Sequence, residues 1–552
     1  MTAVLTGIGI GGGSAAGPVA RMAPPPALPA PRAIAPDQAP AEAAAARRAL
    51  RETADDLRRR AEAADGAARD VLSAQALMAE DPALGDRVEA LVLEGTDGAH
   101  ALAAAFGEFR AALEAAGGYF AERVADLDDL RDRCTARLLG LPMPGLPDPG
   151  HPYVLVADDL APADTALLDP ERVLALVTER GGPTSHTAIL ARTLGLPAVV
   201  GCDRAAGLAD GRRVLVDGSA GTVEADPSPE AVAEAARREE RRRERAARAH
   251  GPGRTADGHP VKLLVNLGAL GELPAAATTD SEGVGLFRTE FLFLDRAEAP
   301  TEEEQTAAYR EVFTAFAGRR VVVRTLDAGA DKPLPFATAA DEQNPALGVR
   351  GLRTAARDPH LLETQLAAIA GAAEGSGAEV WVMAPMVSVP REAAEFAERV
   401  RAHGLPVAGS MVEVPAAALR AGALADVCDF LSVGTNDLAQ YTFAADRTLG
   451  SLADLLDPWQ PALLELVRAA AREGGRRGRP VGVCGEAAAD PALALVLTGL
   501  GVTSLSTAPG RLADVRAALA AHTRRDCRRL ADLALAAPDA AAARDAVRRA
   551  LG

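Results

Sequence analysis

The sequence has few aromatic residues, few cysteines and no long apolar run. Aromatic residues make up 3% of the 552 positions, and much of the 48% that is hydrophobic is alanine. This composition still allows large cores, and the length is sufficient for roughly three or four domains. No stretch approaches the ~20 apolar residues that a membrane-spanning helix needs, so we expect no membrane insertion.

The five cysteines lie far apart and include no CxxC pair. This spacing disfavours both a disulfide framework and a zinc site and favours a reducing compartment, so we expect a cytoplasmic protein. The apolar N-terminal segment is rich in glycine and lacks a basic start, so we expect no signal peptide. The formal net charge of −17 disfavours nucleic acid and anionic membranes as main partners and suits a basic protein partner.

Shifts in composition divide the chain into four regions. Residues 1–20 and 146–226 contain short β runs and one helical run, which predicts a compact α/β domain with an insert. The insert, residues 21–145, has helical periodicity with breaks at glycines, which predicts four or so helices. Residues 227–254 are predicted to form a charged linker helix. Residues 255–552 carry eight short β runs between helical segments, which predicts a (β/α)8 barrel; a doubly wound open sheet is the alternative, although no GxGxxG fingerprint stands at a strand–helix turn.

One histidine stands at the start of a predicted helix. Residues 181–191 read G-G-P-T-S-H-T-A-I-L-A, in which the glycine pair predicts a turn and Thr184 or Ser185 is expected to cap the helix. His186 would then lie in the first turn, where the helix dipole favours neutral imidazole, which is a nucleophile. A phosphoryl group on it would lie where a helix N-terminus binds phosphate well. The alternative is a histidine that only packs and hydrogen-bonds at a helix start.

Polar side chains follow the predicted barrel strands, at the ends where barrel enzymes carry catalytic groups. Several arginines and a lysine would bind a small anion with phosphate and carboxylate groups. Carboxylates among them require a cation such as Mg²⁺, so Glu413 and Asp437 are candidate metal ligands. Cys484 is a candidate proton donor or, alternatively, a buried packing residue. The other polar residues at or beyond these strand ends are Arg288, Arg324, Asp327, Lys332, Arg350, Arg353, Asn436 and Glu486.

Seven motifs occur in the order found in one enzyme family. Besides the His186 segment they are G-L-F-R-T-E-F-L-F, V-V-V-R-T-L-D-A-G-A-D-K-P, N-P-A-L-G-V-R-G-L-R, M-V-E-V-P-A-A, S-V-G-T-N-D-L-A-Q-Y-T and G-V-C-G-E-A-A. Together they resemble Enzyme I of the bacterial phosphoenolpyruvate:sugar phosphotransferase system along nearly the whole chain. The resemblance implies a swivelling phosphohistidine α/β domain with an inserted α-helical bundle, followed by a C-terminal (β/α)8 TIM barrel.

The resemblance also implies a reaction. Phosphoenolpyruvate (PEP) would phosphorylate His186, which would pass the group to a histidine of the carrier protein HPr, with release of pyruvate, as the first step of sugar uptake. Glu413 and Asp437 would hold Mg²⁺, and Cys484 would protonate the pyruvate enolate. Residues 21–145 would dock HPr, and the barrel would form a homodimer. The residues implied to surround PEP are Arg288, Arg324, Lys332, Arg350, Asn436, Asp437 and Arg447.

The sequence departs from the family pattern in places that bear on phosphohistidine stability and turnover rate. Pro183 stands where an arginine is common, Ala161 where a threonine is often found, and D-R-T-L-G, which keeps Arg447, replaces D-R-G-N.

Two alternative functions remain at the level of sequence. A pyruvate phosphate dikinase or PEP synthase would place a large ATP-binding domain ahead of the histidine, whereas roughly 180 residues without a nucleotide loop precede His186. A regulatory paralogue without catalysis should lack the histidine, a metal carboxylate or an anion-binding arginine, and all of these are present.

Overall fold

The structure is a computed structural model that describes residues 4–23, 25–63, 66–116, 124–160, 168–182, 185–294, 296–328, 334–338, 342, 344–447 and 450–551. The chain forms two compact units, residues 1–236 and 237–552. The predicted fold class is confirmed, because an α/β sheet and a helical bundle precede a closed parallel barrel. The four finer domain boundaries stay predictions. No helix among the described residues is both long and apolar enough to cross a membrane.

The first unit contains an eight-stranded mixed sheet in the order β1-β8-β7-β3-β4-β5-β6-β2. Strands β3 to β6 run parallel, and the remaining pairs are antiparallel. Successive side chains of β4 alternate between two apolar cores, so both faces of the sheet are covered. The strands are β1 Val4–Thr6, β2 Ile8–Ile10, β3 Ser14–Arg21, β4 Tyr153–Ala157, β5 Val173–Thr178, β6 Ala198–Val200, β7 Arg213–Asp217 and β8 Thr222–Ala225.

Two details of this sheet differ from the sequence prediction. Residues 1–20, for which the sequence predicts a strand with a glycine-rich turn, form three strands. Positive φ angles at Gly11, Gly12 and Gly13 place the predicted turn between β2 and β3. Strand β8 was not predicted; its four residues are held by pairing with β1 and β7, which a local pattern does not reveal.

The insert forms a helical bundle around an apolar core that includes Leu57, Leu102 and Leu130. Its described residues form five helices, whereas four or so were predicted. One break that the glycine pattern missed lies at Asp81, whose carboxylate accepts the Ala83 N–H at 2.8 Å and caps the next helix. The helices are α1 Ala39–Ala63, α2 Gly66–Ala79, α3 Pro82–Leu93, α4 Gly98–Ala116 and α5 Val124–Leu139.

The described residues between the bundle and the barrel include two further α-helices. Helix α6, His186–Leu194, connects β5 to β6, and α7, Pro229–Arg248, is the predicted charged linker helix. The division between the two units falls inside α7. The guanidinium of Arg242 in its second half contacts both carboxylate oxygens of Asp514, at 2.7 and 2.6 Å, which ties this half to the second unit.

The second unit is built on a closed barrel of eight parallel strands, so the open-sheet alternative is excluded. All eight predicted β runs are strands: β9 Lys262–Leu267, β10 Gly283–Phe287, β11 Arg320–Arg324, β12 Glu379–Ala384, β13 Ala408–Val412, β14 Phe430–Val433, β15 Val481–Val483 and β16 Ser504–Thr507. The surrounding α-helices are α8 Leu273–Thr278, α9 Glu302–Ala315, α10 Thr354–Arg357, α11 Pro359–Ala373, α12 Pro390–Ala402, α13 Pro415–Leu419, α14 Ala421–Val427, α15 Thr435–Phe443, α16 Pro461–Arg476, α17 Pro491–Leu500, α18 Leu512–Ala521, α19 Arg524–Leu535 and α20 Ala540–Leu551.

Candidate active site

A cavity of about 160 Å³ lies at the carboxyl ends of the barrel strands. Parallel strands end on the same side of a barrel, so side chains far apart in sequence converge there. The polar and charged residues that line it are Arg288, Glu290, Arg324, Asp327, Arg350, Glu413, Asn436, Asp437, Arg447 and Cys484.

Of the predicted barrel residues that the structure describes, Arg353 and Glu486 do not line the cavity. Those that it brings together there are Arg288, Arg324, Asp327, Arg350, Glu413, Asn436, Asp437, Arg447 and Cys484. Lys332 lies outside the described residues, as do Ala161, Pro183 and Thr184. His186 belongs to the first unit, and the structure describes its backbone but not its side chain. The functional roles of all these residues remain predictions.

Two glycines allow the loops of the cavity to pack closely. A Cβ atom at Gly434 would stand 3.0 Å from a carboxylate oxygen of Glu413. A Cβ atom at Gly485 would overlap the hydroxyl of Thr435, the first residue of α15. Because α15 carries Asn436 and Asp437 into the cavity, the missing side chains at these glycines let the strand ends approach one another.

Arg324 lies at the centre of a buried ion network. Its guanidinium contacts Glu290 at 3.0 Å and Asp327 at 3.2 Å, and its side chain is 11% exposed. Burial alone would lower the pKa of Arg324, but the charges of these two carboxylates, with those of Glu413 and Asp437, outweigh burial and raise it. The guanidinium therefore stays charged in the cavity.

Arg350 connects the carboxylate of Asp327, which follows β11, with the carboxylate of Asp437 on α15. It contacts Asp327 at 3.0 Å and Asp437 at 3.2 Å, and Arg447 stands 3.6 Å from the other oxygen of Asp437. Burial opposes the charge of Asp327, but Arg324 and Arg350 together lower the pKa of Asp327 below its usual value. Charge–charge contacts in a buried setting thus couple the segment after β11, the segment that carries Arg350 and helix α15.

Glu413 is the acid of the cavity that lacks an arginine at salt-bridge distance in the described residues. It is 1% exposed and accepts the N–H of Met386, a residue held at a φ of +58°. Burial and the nearby charges of Asp327 and Asp437 raise the pKa of Glu413 to about 8. Carboxylates forced together in a buried site are stabilised by a cation, so Glu413 and Asp437 fit a divalent metal ion. Within the described part of the chain, no set of three or more His, Cys, Asp or Glu residues forms a metal cluster.

Cys484 follows β15 and is 3% exposed. Its sulfur accepts the Ser432 hydroxyl at 3.3 Å, and the amide of Asn266 donates to its backbone carbonyl at 3.1 Å. Burial raises the pKa of the Cys484 thiol. At neutral pH the group is therefore a protonated thiol at the wall of the cavity, able to give a proton to a bound anion.

The sequence reasoning did not list two acids of the network among the site residues. Glu290 accepts both the Arg324 guanidinium and the N–H of Asp327, each at 3.0 Å. From the sequence, Asp327 is predicted only to be a polar residue at a strand end. The motif R-T-E, in which an acid follows the arginine at the end of β10, was the available signal for Glu290.

The candidate nucleophile lies where the sequence predicted it, at the start of a helix. Helix α6 begins at His186, and the hydroxyl of Ser185 accepts the Ala188 N–H at 3.3 Å. Ser185 therefore caps the helix, which confirms one of the two predicted caps. The adjacent Thr187 is fully buried and donates to Asp159 at 3.3 Å, which fixes the first turn. A helix N-terminus at this point favours a negative group.

Comparisons with known proteins match three parts of the chain to one family. The PEP-binding domain of PEP-utilising enzymes matches residues 242–524, their mobile domain matches residues 149–221, and their N-terminal domain matches residues 6–123. The chain therefore belongs to the PEP-utilising enzyme family, whose members need a divalent metal ion.

Individual relatives indicate which enzyme within this family the chain resembles. The chain is 53% identical to the phosphoenolpyruvate-protein phosphotransferase of Streptomyces coelicolor over 100% of both chains. It is 42% identical to the phosphoenolpyruvate-protein phosphotransferase of Haloferax volcanii over 85% of this chain and 84% of that one. A solution structure of Enzyme I covers 43% of this chain and 98% of its own at 30% identity, with a TM-score of 0.39. The resemblance to Enzyme I that the seven motifs indicated is thereby confirmed by the two curated relatives.

Proposed function

We propose that this chain is a phosphoenolpyruvate-protein phosphotransferase that transfers the phosphoryl group of PEP to His186 and then to a histidine of HPr, releasing pyruvate. The observation that carries the proposal is the cavity in which arginines, acids and one buried thiol meet at the barrel mouth. The match of residues 6–123 to the N-terminal domain of the family favours this function over an ATP-dependent dikinase.

The charges of the cavity suit PEP bound together with a cation. Four arginines and four acids line it among the described residues, so their charges balance when all are ionised. The phosphate and carboxylate of PEP would engage Arg288, Arg324, Arg350 and Arg447, with Asn436 and Lys332 as further donors. Mg²⁺, held by Glu413 and Asp437, would supply positive charge to the phosphoryl oxygens.

His186, the arginines and Cys484 would then each have a different role in the reaction. The imidazole of His186 attacks phosphorus, the bond to the enol oxygen of PEP breaks, and the enolate leaves with its electron pair. The arginines hold the oxygens in line, and Cys484 gives its proton to the methylene carbon, which completes pyruvate. Because His186 must also reach HPr, the histidine domain has to move between the two sites.

The same proposal assigns a function to each region of the chain. We assign residues 1–20 and 146–226 to the phosphohistidine domain, 21–145 to HPr binding, 227–254 to the linker and 255–552 to PEP binding and homodimer formation. All five cysteines are buried and free, which supports the proposal that the protein acts in a reducing cytoplasm.

Replacing Glu413 by glutamine is expected to raise the Mg²⁺ concentration for half-maximal activity by at least about tenfold, because it removes a charged oxygen ligand. Asp437→Asn should act in the same direction. Mn²⁺ binding followed by electron paramagnetic resonance measures the metal site without turnover. Glu363→Gln is the matched control, because Glu363 pairs with Arg399 and His403 outside the cavity. An unchanged metal curve in Glu413→Gln would mean that this carboxylate is structural.

Replacing Cys484 by serine is expected to lower kcat by about a hundredfold while changing the affinity for PEP less than about twofold, because a general acid acts in the transition state. Since the protonated thiol is the active form, activity that depends on it falls as pH rises through the raised pKa, and the variant should lose this alkaline limb. Cys428→Ser, at another fully buried cysteine of the barrel, is the control. A large loss of PEP affinity with normal kcat would make Cys484 a packing residue.

A further inference from the structure

A fully buried polar network lies behind the cavity wall, and its residues do not line the cavity. It consists of Thr289, Gln305, Tyr309 and Gln365, each at most 1% exposed. Thr289 follows β10, Gln305 and Tyr309 lie on α9, and Gln365 lies on α11. An unpaired donor or acceptor in the interior is costly, so buried polar groups of this kind fix the positions of the groups that they bind.

The amide of Gln365 joins the two loops that carry Arg288 and Arg324. Its oxygen accepts the N–H of Leu326 at 2.8 Å, and its nitrogen donates to the hydroxyl of Thr289 at 3.1 Å. Thr289 in turn donates to the carbonyl of Arg324 at 2.9 Å. One side chain from an outer helix thus holds the residue next to Arg288 and the residue two beyond Arg324.

The neighbouring groups fix the orientation of this amide. The Gln365 nitrogen also donates to the Tyr309 hydroxyl at 2.9 Å, and that hydroxyl donates to Gln305 at 3.1 Å. The hydroxyls of Thr289 and Tyr309 each donate a hydrogen bond to another group, so they can only accept a hydrogen bond from Gln365. A flipped amide would point its N–H groups at the N–H of Leu326, so one orientation is selected.

We propose that Gln365 is a positioning residue for PEP, which sets the spacing of the Arg288 and Arg324 loops through its buried amide. The inference rests on the proposed function of the cavity. Without the amide, the N–H of Leu326 is left unpaired in the interior, and the loop between Arg324 and Asp327 has to shift to satisfy it. Only a fraction of the molecules then has the loop geometry that binds PEP, and the apparent affinity for PEP falls in proportion to that fraction.

The test compares two buried glutamines of the same network. Gln365→Met keeps the volume and removes the amide; it is expected to weaken PEP binding by about tenfold. Gln305→Met removes the partner of the Tyr309 hydroxyl but leaves Gln365 bound to Leu326 and Thr289, and the Thr289 hydroxyl, which donates to Arg324, still selects the same amide orientation. PEP affinity should therefore stay within about twofold of the parent. PEP affinity is measured by calorimetry in a His186→Ala background, with melting temperatures, KM and kcat recorded for the matching active chains.

A second pair of variants protects the test against a folding failure. Thr289→Val removes the hydroxyl that links Gln365 to Arg324 and should weaken PEP binding, whereas Thr289→Ser keeps it and should restore binding. Equal PEP affinities for the two glutamine variants at equal loss of stability, or for the two threonine variants, would overturn the positioning role. If the parent chain itself takes no phosphoryl group from PEP, the proposed function fails instead, so the two failures are distinguishable.

Discussion

Replacing His186 by alanine is expected to abolish phosphorylation of the chain by PEP, with a fall of at least about 10⁴-fold, because the variant lacks the imidazole that we propose as the nucleophile. The fold should be unchanged, since the substitution lies at the first residue of α6 and leaves the Ser185 cap in place. Incorporation of ³²P from labelled PEP, with peptide mapping under alkaline conditions that preserve phosphohistidine, measures the effect.

His151→Ala is the control for this experiment, because His151 is an exposed histidine of the same unit that precedes β4. This variant should incorporate label at the rate of the parent. Full incorporation into His186→Ala at another residue would contradict the assignment of the nucleophile.

Replacing Arg350 by methionine is expected to lower kcat/KM for PEP by about 10² to 10³-fold. Arg350 contacts both Asp327 and Asp437, whose side chains are 3% and 10% exposed, so the variant leaves two buried carboxylates short of a partner. Breaking a buried ion pair in this way typically costs about 3–5 kcal/mol, and the substrate loses a bidentate donor as well. Arg350→Lys should recover only a small part of the activity, because a single ammonium cannot reach both carboxylates at once.

Arg353→Met is the matched control, three residues away. Arg353 donates to the carbonyl of Gly348 and to Ser388, each at 3.0 Å, and it does not line the cavity. Steady-state kinetics and thermal unfolding of the three variants separate the loss of substrate contacts from the loss of stability. Equal kinetic effects of Arg350→Met and Arg353→Met would contradict the role of Arg350 in PEP binding.

The barrel and the make-up of its mouth could be predicted from the sequence because both depend on local signals. Each strand is a short apolar run between helical segments, and both faces of such strands are covered in a barrel. Arg324 and Glu413 end two of these runs, so closure of the barrel alone brings them to one side.

The partners within the mouth could not be predicted, since they depend on distances across the fold. Nothing in the sequence indicates that Arg350 binds Asp327 rather than another acid, or that Glu413 has a backbone partner instead of an arginine. The position of Met386 in the left-handed region, where its N–H reaches Glu413, is imposed by the surrounding packing and opposes local preference.

The burial and the contacts of Gln365 could not be predicted from the sequence either. In sequence it is one polar residue within the apolar pattern of α11, and such residues are usually placed at the surface. Only the structure shows that it is 1% exposed and contacts Leu326, Thr289 and Tyr309. Buried polar positions on helices are thus the part of this site for which the sequence offered no signal.

The central claim is that this chain takes a phosphoryl group from PEP onto His186 and gives it to HPr. The most direct measurement incubates the purified chain and Mg²⁺ with ³²P-labelled PEP or with γ-³²P ATP, locates the label, and then adds purified HPr. The account predicts labelling from PEP and not from ATP, at His186 alone, followed by transfer of the label to HPr. Labelling from ATP, label at another residue, or label that stays on the chain when its cognate HPr is added would contradict it.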